Sequence, residues 1–321
     1  MTAGPVTVRL TQDAAAFAAA AGGWLDRDPV RTSIVASALA AAVAGALAER
    51  VGPGPRWVLV RRGEEVVGAG MLGHPAVPVL HLPPMPDDAA AAVAESLADG
   101  ARVPMDAVIG DAGSTLAFTQ AWTRRTGEVA RRTMARGYHV LDRLVPPANG
   151  VPGTTRVATP ADAALVTGWS TAFHTEIWRG VPPPPADPGQ LHDRLAGGRL
   201  LIREEAGRPV AMAGWHPPAG APGRAVVRVG TVWTVPDHRR RGHGTAVTAA
   251  ATRGAAATGA AVVMLHTDLA NPTSNGVYAR LGYRLVGEGS AWRFAATATT
   301  DATATTDDAG LSRSGTTSAG C

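Results

Sequence analysis

Short apolar runs alternate with longer alanine-rich segments along most of the chain, and this alternation predicts a mixed α/β fold. Residues 6–10 place apolar side chains at every second position, as a half-buried strand does. Residues 87–98 carry small apolar side chains behind two acidic residues, as a helix does. Further strands are predicted at 57–61, 66–72, 77–82, 107–109, 128–135, 138–145, 155–158, 200–204, 209–215, 225–235, 262–265, 283–286 and 291–294. Further helices are predicted at 13–21, within 29–50, at 114–125, 160–169, 190–195 and 246–257, and from Asn271 onward, whereas 171–181 is ambiguous.

A proline- and glycine-rich segment, residues 146–153, is the best candidate for a domain boundary. Elements follow the same order on both sides of it, and residues 8–17 read much like residues 155–165, which indicates an internal duplication. We therefore predict two domains, at 1–145 and 154–296, joined by this linker. The last segment, 297–321, has almost nothing to bury and is expected to be a disordered tail.

The segment TVWTVPDHRRRGHGTA, residues 231–246, leads from an apolar strand through a basic turn into an alanine-rich helix. Arg239, Gly242 and Gly244 form an Arg-x-x-Gly-x-Gly pattern. Such a turn directs unpaired N–H groups and the positive end of the helix dipole at one point, and the glycines leave room for a pyrophosphate. The chain contains no Lys, which excludes a P-loop, and residues 242–247 lack the third small residue of the dinucleotide fingerprint.

A second motif, LHTDLANPTSNGVYARLGY, covers residues 265–283. Asn271 is placed to cap a helix whose first residue is Pro272, and Gly282 is placed to end it. Tyr278 follows Asn271 by about two helical turns, so both side chains can face the same side.

Together the two motifs resemble the GNAT family of acyl-CoA-dependent N-acetyltransferases, over residues 155–294. The resemblance implies two GNAT-like domains, each a mixed, mostly antiparallel sheet flanked by helices, with the fourth and fifth strands splayed apart. It implies that the basic turn holds the pyrophosphate of acetyl-CoA, that Asn271 contacts the pantetheine arm and that Tyr278 protonates the departing thiolate. A backbone N–H on the preceding strand, with Val235 as the candidate, would polarise the thioester carbonyl. The cofactor-binding residues implied are Trp233, Thr234, Val235, Arg239, Arg240, Arg241, Gly242, His243, Gly244, Thr245, Asn271, Ser274 and Tyr278.

The N-terminal half lacks both motifs. Residues 81–86 read HLPPMP at the position of the basic turn, with neither Arg nor Gly, and the helix predicted at 114–125 contains no Tyr. We interpret this half as a degenerate, non-catalytic copy, with an unrelated α/β domain as the alternative.

The general base is not apparent, because the strand predicted at 225–235 contains no carboxylate. Glu176 is the preferred candidate, since it falls where family members bind the acceptor. The alternatives are His174, His216, His266 and Asp268, or an ordered water. No set of His, Asp and Glu has metal-ligand spacing, and none is expected to hold a metal.

Composition narrows the function further. The net charge is +4, and residues 151–296 hold 15 Arg against 9 acidic residues, so the excess lies in the half with the proposed anion site. No aromatic-interleaved basic stripe accompanies it, so a nucleic-acid partner is not expected. The one cysteine is Cys321, and the start of the chain lacks the layout of a signal peptide, which fits a cytoplasmic protein without a membrane span.

The sequence therefore predicts an N-acetyltransferase that moves an acetyl group from acetyl-CoA to a primary amine by direct attack. The acceptor is left open between small-molecule and peptide amines, including the thiol precursor used by mycothiol synthases, which share the tandem arrangement. The protein is expected to be a monomer or a homodimer. The alternative function is a coenzyme A-binding sensor or scaffold without turnover.

Overall fold

The computed structural model describes residues 4–45, 54–73, 78–100, 105–147, 150–178 and 188–295. Within these ranges the chain forms a mixed α/β fold with one twelve-stranded sheet and eight α-helices. The strands are β1 (Val6–Thr11), β2 (Arg56–Arg62), β3 (Glu65–Leu72), β4 (Val79–Leu82), β5 (Ala107–Asp111), β6 (Val129–Leu141), β7 (Thr154–Val157), β8 (Leu200–Glu205), β9 (Arg208–Trp215), β10 (Val226–Thr234), β11 (Val262–Asp268) and β12 (Tyr283–Ala295). The helices are α1 (Ala14–Leu25), α2 (Ser33–Val43), α3 (Asp87–Gly100), α4 (Ala112–Thr126), α5 (Ala163–Trp178), α6 (Pro188–Ala196), α7 (His243–Ala256) and α8 (Pro272–Arg280).

The order of elements is the same in the two halves, as the duplication predicts. Each half runs strand, two helices, three strands, helix, strand, helix, strand. The ambiguous segment 171–181 belongs to α5 as far as its described residues extend. The predicted tail lies outside the described residues. None of the described helices combines the length and apolarity that a membrane span needs.

The two halves exchange their last strands within the one sheet. The sheet order is β1-β2-β3-β4-β5-β12-β6-β11-β10-β9-β8-β7. The last strand of the N-terminal half, β6, therefore pairs with β11, and the last strand of the C-terminal half, β12, pairs with β5. Between them, β6 and β12 pair antiparallel along their length. Each half thus completes the sheet of the other.

The prediction of two short strands at 128–135 and 138–145 is wrong, as is that of separate strands at 283–286 and 291–294. Each pair is one continuous strand of 13 residues. Gly137, which falls between the two predicted strands, lies within β6, where a Cβ would come within 2.7 Å of Leu269 Cδ2. Gly289 lies within β12, where a Cβ would press on the carbonyl oxygen of Gly110. Both glycines permit close approach of neighbouring chain segments.

Helices cover both faces of the sheet. On one face, called the first face, α3 and α4 pack on Val58, Leu80 and Val108, and α7 packs on Val227 and Leu265. On the other, called the second face, α1 and α2 pack on Trp57 and Leu59, and α5 and α6 pack on Ile202 and Met212. Because side chains alternate along a strand, each strand supplies both layers.

The predicted splay of the fourth and fifth strands occurs in the C-terminal half. There β10 and β11 run parallel and stay in register only from Val226 opposite Val262 to Val229 opposite Leu265. Beyond that pair β10 continues along β9, whereas β11 continues along β6, so the two strands diverge. In the N-terminal half, β4 stays paired with β5 to its last residue, Leu82 opposite Gly110, so the expected splay is missing there. Among the described residues, a gap between two parallel strands therefore opens in the C-terminal half and not in the N-terminal half.

Candidate active site

The turn from β10 into α7 presents backbone amides without an internal partner. Residues Pro236–His238 form one turn of 3₁₀-helix, and Gly242, the N-cap of α7, has φ 87° and ψ −7°. No side chain caps α7. In the described part of the chain, the amides of residues 242–245 donate no hydrogen bond to a group outside the helix. Free N–H groups and the positive end of the helix dipole therefore converge here, which suits an anion.

A side chain would be unfavourable at both glycines of this turn, for different physical reasons. A Cβ on Gly244 would lie 3.1 Å from Thr234 Oγ1, so a side chain would narrow the space between the helix start and β10. A Cβ on Gly242 would lie 2.7 Å from Cγ2 of Val151, a residue of the linker. Gly242 also needs its left-handed φ, which other residues adopt only at a cost. The linker thus packs directly on the turn.

The strand before the turn is distorted where the gap opens. The pairing of β10 with β9 shifts between Gly230 and Trp233, and Thr231 has φ 55°, which is unusual for a β-branched residue. The Arg194 side chain holds this bulge, because its guanidinium donates to Thr231 Oγ1 at 2.8 Å and to the Gly230 carbonyl at 3.5 Å. Strained backbone of this kind is typical of functional sites.

The Val235 amide cannot polarise a thioester carbonyl in the gap, contrary to the expectation from the sequence. Val235 N–H donates to the Val210 carbonyl of β9 at 3.0 Å, so it points away from the gap. Residues of an antiparallel strand direct their backbone groups alternately to its two edges, so Thr234 faces the gap instead. The Thr234 carbonyl confirms this orientation, because it accepts a bond from Arg239 Nε at 3.1 Å. The amide available to polarise a carbonyl in the gap is therefore that of Thr234.

Arg239 connects the strand, the turn and α5. Its guanidinium lies 4.8 Å from the ring centre of Trp233 and pairs with both carboxylate oxygens of Glu176, at 2.7 and 3.2 Å. The structure thus places Glu176, the preferred candidate for the base, beside the basic turn, with both of its carboxylate oxygens paired with Arg239. Arg240 and Arg241 are exposed beside it and are free to meet phosphates.

The start of α8 has the capping that the sequence predicts. Asn271 Oδ1 accepts from the Ser274 amide at 3.1 Å, and Pro272 is the first helical residue. This cap occupies the Asn271 side-chain oxygen, which was expected to contact the cofactor. Asn275, which the sequence interpretation missed, has a buried Oδ1 without a partner, while its Nδ2 donates to the Asp268 and Leu269 carbonyls. An unpaired buried amide oxygen can accept from a ligand N–H.

Tyr278 lies on α8 and is 8% exposed. Its ring makes an edge contact with Tyr283, at 6.2 Å between ring centres. Burial raises the pKa of Tyr278 to about 12, so the phenol is protonated at neutral pH. No described residue hydrogen-bonds to its hydroxyl. The Tyr278 hydroxyl is therefore a neutral proton donor that makes no hydrogen bond within the described part of the chain.

The His243 side chain points into the protein, so only its backbone amide can face the expected cofactor. Its Nε2 lies 3.5 Å from Glu205 Oε2, and His238 Nδ1 lies 3.1 Å from the same oxygen. Burial lowers the pKa of His243, so its imidazole is neutral at pH 7. These three side chains could hold a metal ion, since one ligand atom from each lies within 4.8 Å of the others. The sequence could not indicate this cluster, because Glu205 belongs to a different hairpin.

The alternative bases are all placed on the second face or at its edge. Burial lowers the pKa of His174 on α5, and it lowers that of His216 and His266 well below the usual value. The Asp268 carboxylate accepts from the Ala270 amide at 3.0 Å and so orders the turn before α8. The histidines are neutral at pH 7 and can accept a proton, though weakly.

The corresponding place in the N-terminal half is closed. Ser114 Oγ accepts from the Met85 amide at 2.9 Å, and Asp87 and Asp88 occupy the first turn of α3. Two carboxylates at the helix start repel an anion, and the strands beside it do not separate. This half therefore lacks the features that suit the C-terminal turn to an anion.

Comparison with known proteins agrees with this geometry. Residues 167–283 match the model of the acetyltransferase (GNAT) family. A search of curated proteins found no match. Among solved structures, a Drosophila protein is 15% identical, with a TM-score of 0.64 over 89% of this chain and 97% of its own. A GCN5-related N-acetyltransferase from Kribbella flavida is 19% identical (TM-score 0.53, 83% of this chain and 98% of its own). A tandem GNAT protein from the clavulanic acid biosynthesis pathway is 14% identical (TM-score 0.54, 91% and 98%). Residues 167–283 are therefore a GNAT-family acetyltransferase domain, in a chain that has the fold of tandem GNAT proteins.

Proposed function

We propose that the C-terminal half transfers an acetyl group from acetyl-CoA to a primary amine by direct attack. The observation that carries this proposal is the uncapped start of α7 beside the gap between β10 and β11. GNAT enzymes typically use acetyl-CoA, whose diphosphate is the kind of anion that free helix-start amides bind. The named solved structures include an N-acetyltransferase, which supports the reaction class by analogy of fold.

The residues present fit this co-substrate. Amides of residues 242–245 would hold the diphosphate, and the exposed Arg240 and Arg241 would add charge. Glycine at 244 keeps the approach open, since a Cβ there would face Thr234 Oγ1. Backbone groups of Thr234 and the free Oδ1 of Asn275 would bind the amide-containing arm.

Acetyl-CoA supplies the acetyl group as a thioester. The Thr234 amide would polarise the carbonyl, and the Tyr278 hydroxyl would give its proton to the leaving sulfur. Low exposure of Tyr278 keeps water from competing for that proton. The amine proton would go to Glu176, the preferred candidate for the base, directly or through water.

The test is release of free thiol from acetyl-CoA with a panel of amines, together with coenzyme A binding by calorimetry. Turnover with at least one amine, reduced in Tyr278→Phe, supports the proposal. Binding without turnover on any amine would instead support the sensor alternative, which the absence of a carboxylate from β10 favours.

Glu176→Gln separates two roles for that residue. If Glu176 is the base, the substitution should lower kcat by about 10²-fold or more. If Glu176 only pairs with Arg239, the substitution should change kcat little, because exposed ion pairs contribute about 0–1 kcal/mol.

A further inference from the structure

A row of basic side chains crosses the second face of the sheet where β10 and β11 diverge. Arg228 lies one residue before the last paired position of β10, and His266 lies one residue beyond that position on β11. His266 is opposite Tyr138 on β6, with ring centres 5.1 Å apart, and Arg136 follows two residues along on the same side. The members of this basic row are His81, Arg136, Arg194, His216, Arg228 and His266.

The three arginines of the basic row have no ion-pair partner among the described residues. Arg194 is 5% exposed and donates only to the bulge in β10. Arg228 reaches Ser37 Oγ on α2 at 3.4 Å, and Arg136 has a buried NH1 without any partner. The three arginines lie close enough to affect one another, because burial and then the charges of Arg136 and Arg194 lower the pKa of Arg228. A positive charge removed from water without a partner is costly unless an anion joins it.

The nearby carboxylates are already engaged. A narrow cavity between α2 and the sheet is lined by Arg31, His81, Arg136 and Tyr138. Arg31 pairs with Asp28 at 2.6 Å and with Asp111 at 3.3 Å. These two carboxylates therefore serve Arg31, and the described ion pairs include none for Arg136, Arg194 or Arg228, although Asp268 of β11 lies opposite Arg136 in the sheet. The glycines of β12 contribute to this space, since Gly287 and Gly289 place no side chain beside Tyr138.

This charge does not serve the diphosphate site. The start of α7 lies on the first face, with the exposed Arg240 and Arg241 in the turn before it, whereas Arg228 and His266 belong to the second face. If acetyl-CoA enters the gap from the first face, its acetyl group would be next to the basic row on the second face. We therefore expect the acceptor amine to approach from the second face.

We propose that the basic row binds the anionic group, a carboxylate or a phosphate, of a small acceptor amine. The proposal rests on the acetyl transfer proposed above. Bidentate guanidinium groups suit both anions, and the neutral imidazoles of His81 and His266, each with an unpaired buried nitrogen, can donate to them. The cavity itself, about 10 Å³, has room for a single water only, so the anionic group would lie at the gap beside the partly exposed Arg228 and His266, with the amine toward the thioester.

The test compares matched acceptors by free-thiol release: β-alanine with β-alaninamide, and phosphoethanolamine with ethanolamine. We expect the anionic member of at least one pair to have a kcat/KM about 10- to 100-fold higher, as charge-assisted hydrogen bonds provide. The pair that shows the preference tells carboxylate from phosphate. Equal or better use of both neutral members would overturn the proposal.

The variants are Arg136→Gln and Arg228→Gln, with the exposed Arg125→Gln on α4 as the matched control. In the first two, the ratio between anionic and neutral acceptors should fall toward one, while thermal stability is kept, because each substitution removes a partly exposed charge that has no ion-pair partner among the described residues. The control should keep the ratio. A ratio kept in both Arg136→Gln and Arg228→Gln contradicts the assignment.

Calorimetric titration with succinate and with inorganic phosphate, in the presence of coenzyme A, separates the two proposals. If no amine turns over but one of these anions binds the wild type and not Arg228→Gln, acetyl transfer fails and the anion site stands. If neutral amines turn over as well as anionic ones and neither anion binds, the anion site fails and acetyl transfer stands. If nothing turns over and neither anion binds, both fail.

Discussion

Replacing Tyr278 with Phe removes a single hydroxyl from the proposed site. The ring remains buried against Tyr283, so packing is preserved. No described group hydrogen-bonds to the hydroxyl, so its removal should change the free energy of unfolding by less than about 1 kcal/mol. Coenzyme A affinity should be unchanged within about threefold, because the diphosphate site on α7 is untouched.

Catalysis should suffer far more than stability. A positioned general acid contributes about 10²–10⁴-fold, so kcat of Tyr278→Phe should fall by at least about 10²-fold, or about 3 kcal/mol. Free-thiol release gives kcat, calorimetry gives coenzyme A affinity, and urea unfolding gives stability. A variant with nearly full kcat, or one that loses kcat only in proportion to stability, would refute the role of Tyr278.

The pH dependence gives a second check on the same residue. An acid must be protonated to act, and burial raises the pKa of Tyr278 to about 12. Loss of that proton should therefore cause no decline in activity between pH 8 and 10. A falling limb with a midpoint near 9.5 in the wild type, absent from Tyr278→Phe, would contradict the buried phenol described here.

The remaining predictions concern stability and assembly. Gly242→Ala should lower the free energy of unfolding, measured by urea titration, by about 2 kcal/mol, because the new Cβ clashes with Val151 and alanine is strained at a left-handed φ. Gly207→Ala is the control: its φ is 73° but a Cβ there meets no neighbour, so it should cost only about 1 kcal/mol. Burial lowers the pKa of His81 to about 3 against about 6.5 when unfolded, so below pH 6.5 only the unfolded chain gains the proton. Stability should then fall by up to about 1.4 kcal/mol per pH unit from this residue, and His81→Gln should reduce the slope of unfolding free energy between pH 6 and 4; an unchanged slope would contradict the burial. Finally, chains cut within the linker should copurify when coexpressed, because the halves exchange strands; recovery of each half as a separate folded monomer would contradict the sheet order.

The sequence predicts most elements of this fold because local signals and final structure agree there. Asp13 caps α1 and Asn271 caps α8, and each satisfies an amide only three residues away. The turn into α7 is readable for the same reason, since Gly242 is required by its own backbone angles.

What sequence cannot predict depends on contacts between distant segments. The exchange of strands between the halves is not predictable, because a glycine such as Gly137 suggests a turn, and only the packing of Thr267 and Leu269 against it explains its place within β6. The pairing of Arg239 with Glu176 joins residues 63 positions apart, and the basic row draws on both halves. The orientation of the Val235 amide depends on a bulge in β10 that no residue pattern specifies.

A crystal structure with acetyl-CoA bound tests the central claim most directly. The account predicts diphosphate oxygens within hydrogen-bonding distance of the amides of residues 242–245, with the thioester in the gap beside the Thr234 amide and within reach of the Tyr278 hydroxyl. A diphosphate bound elsewhere, with those amides facing only water, would contradict it.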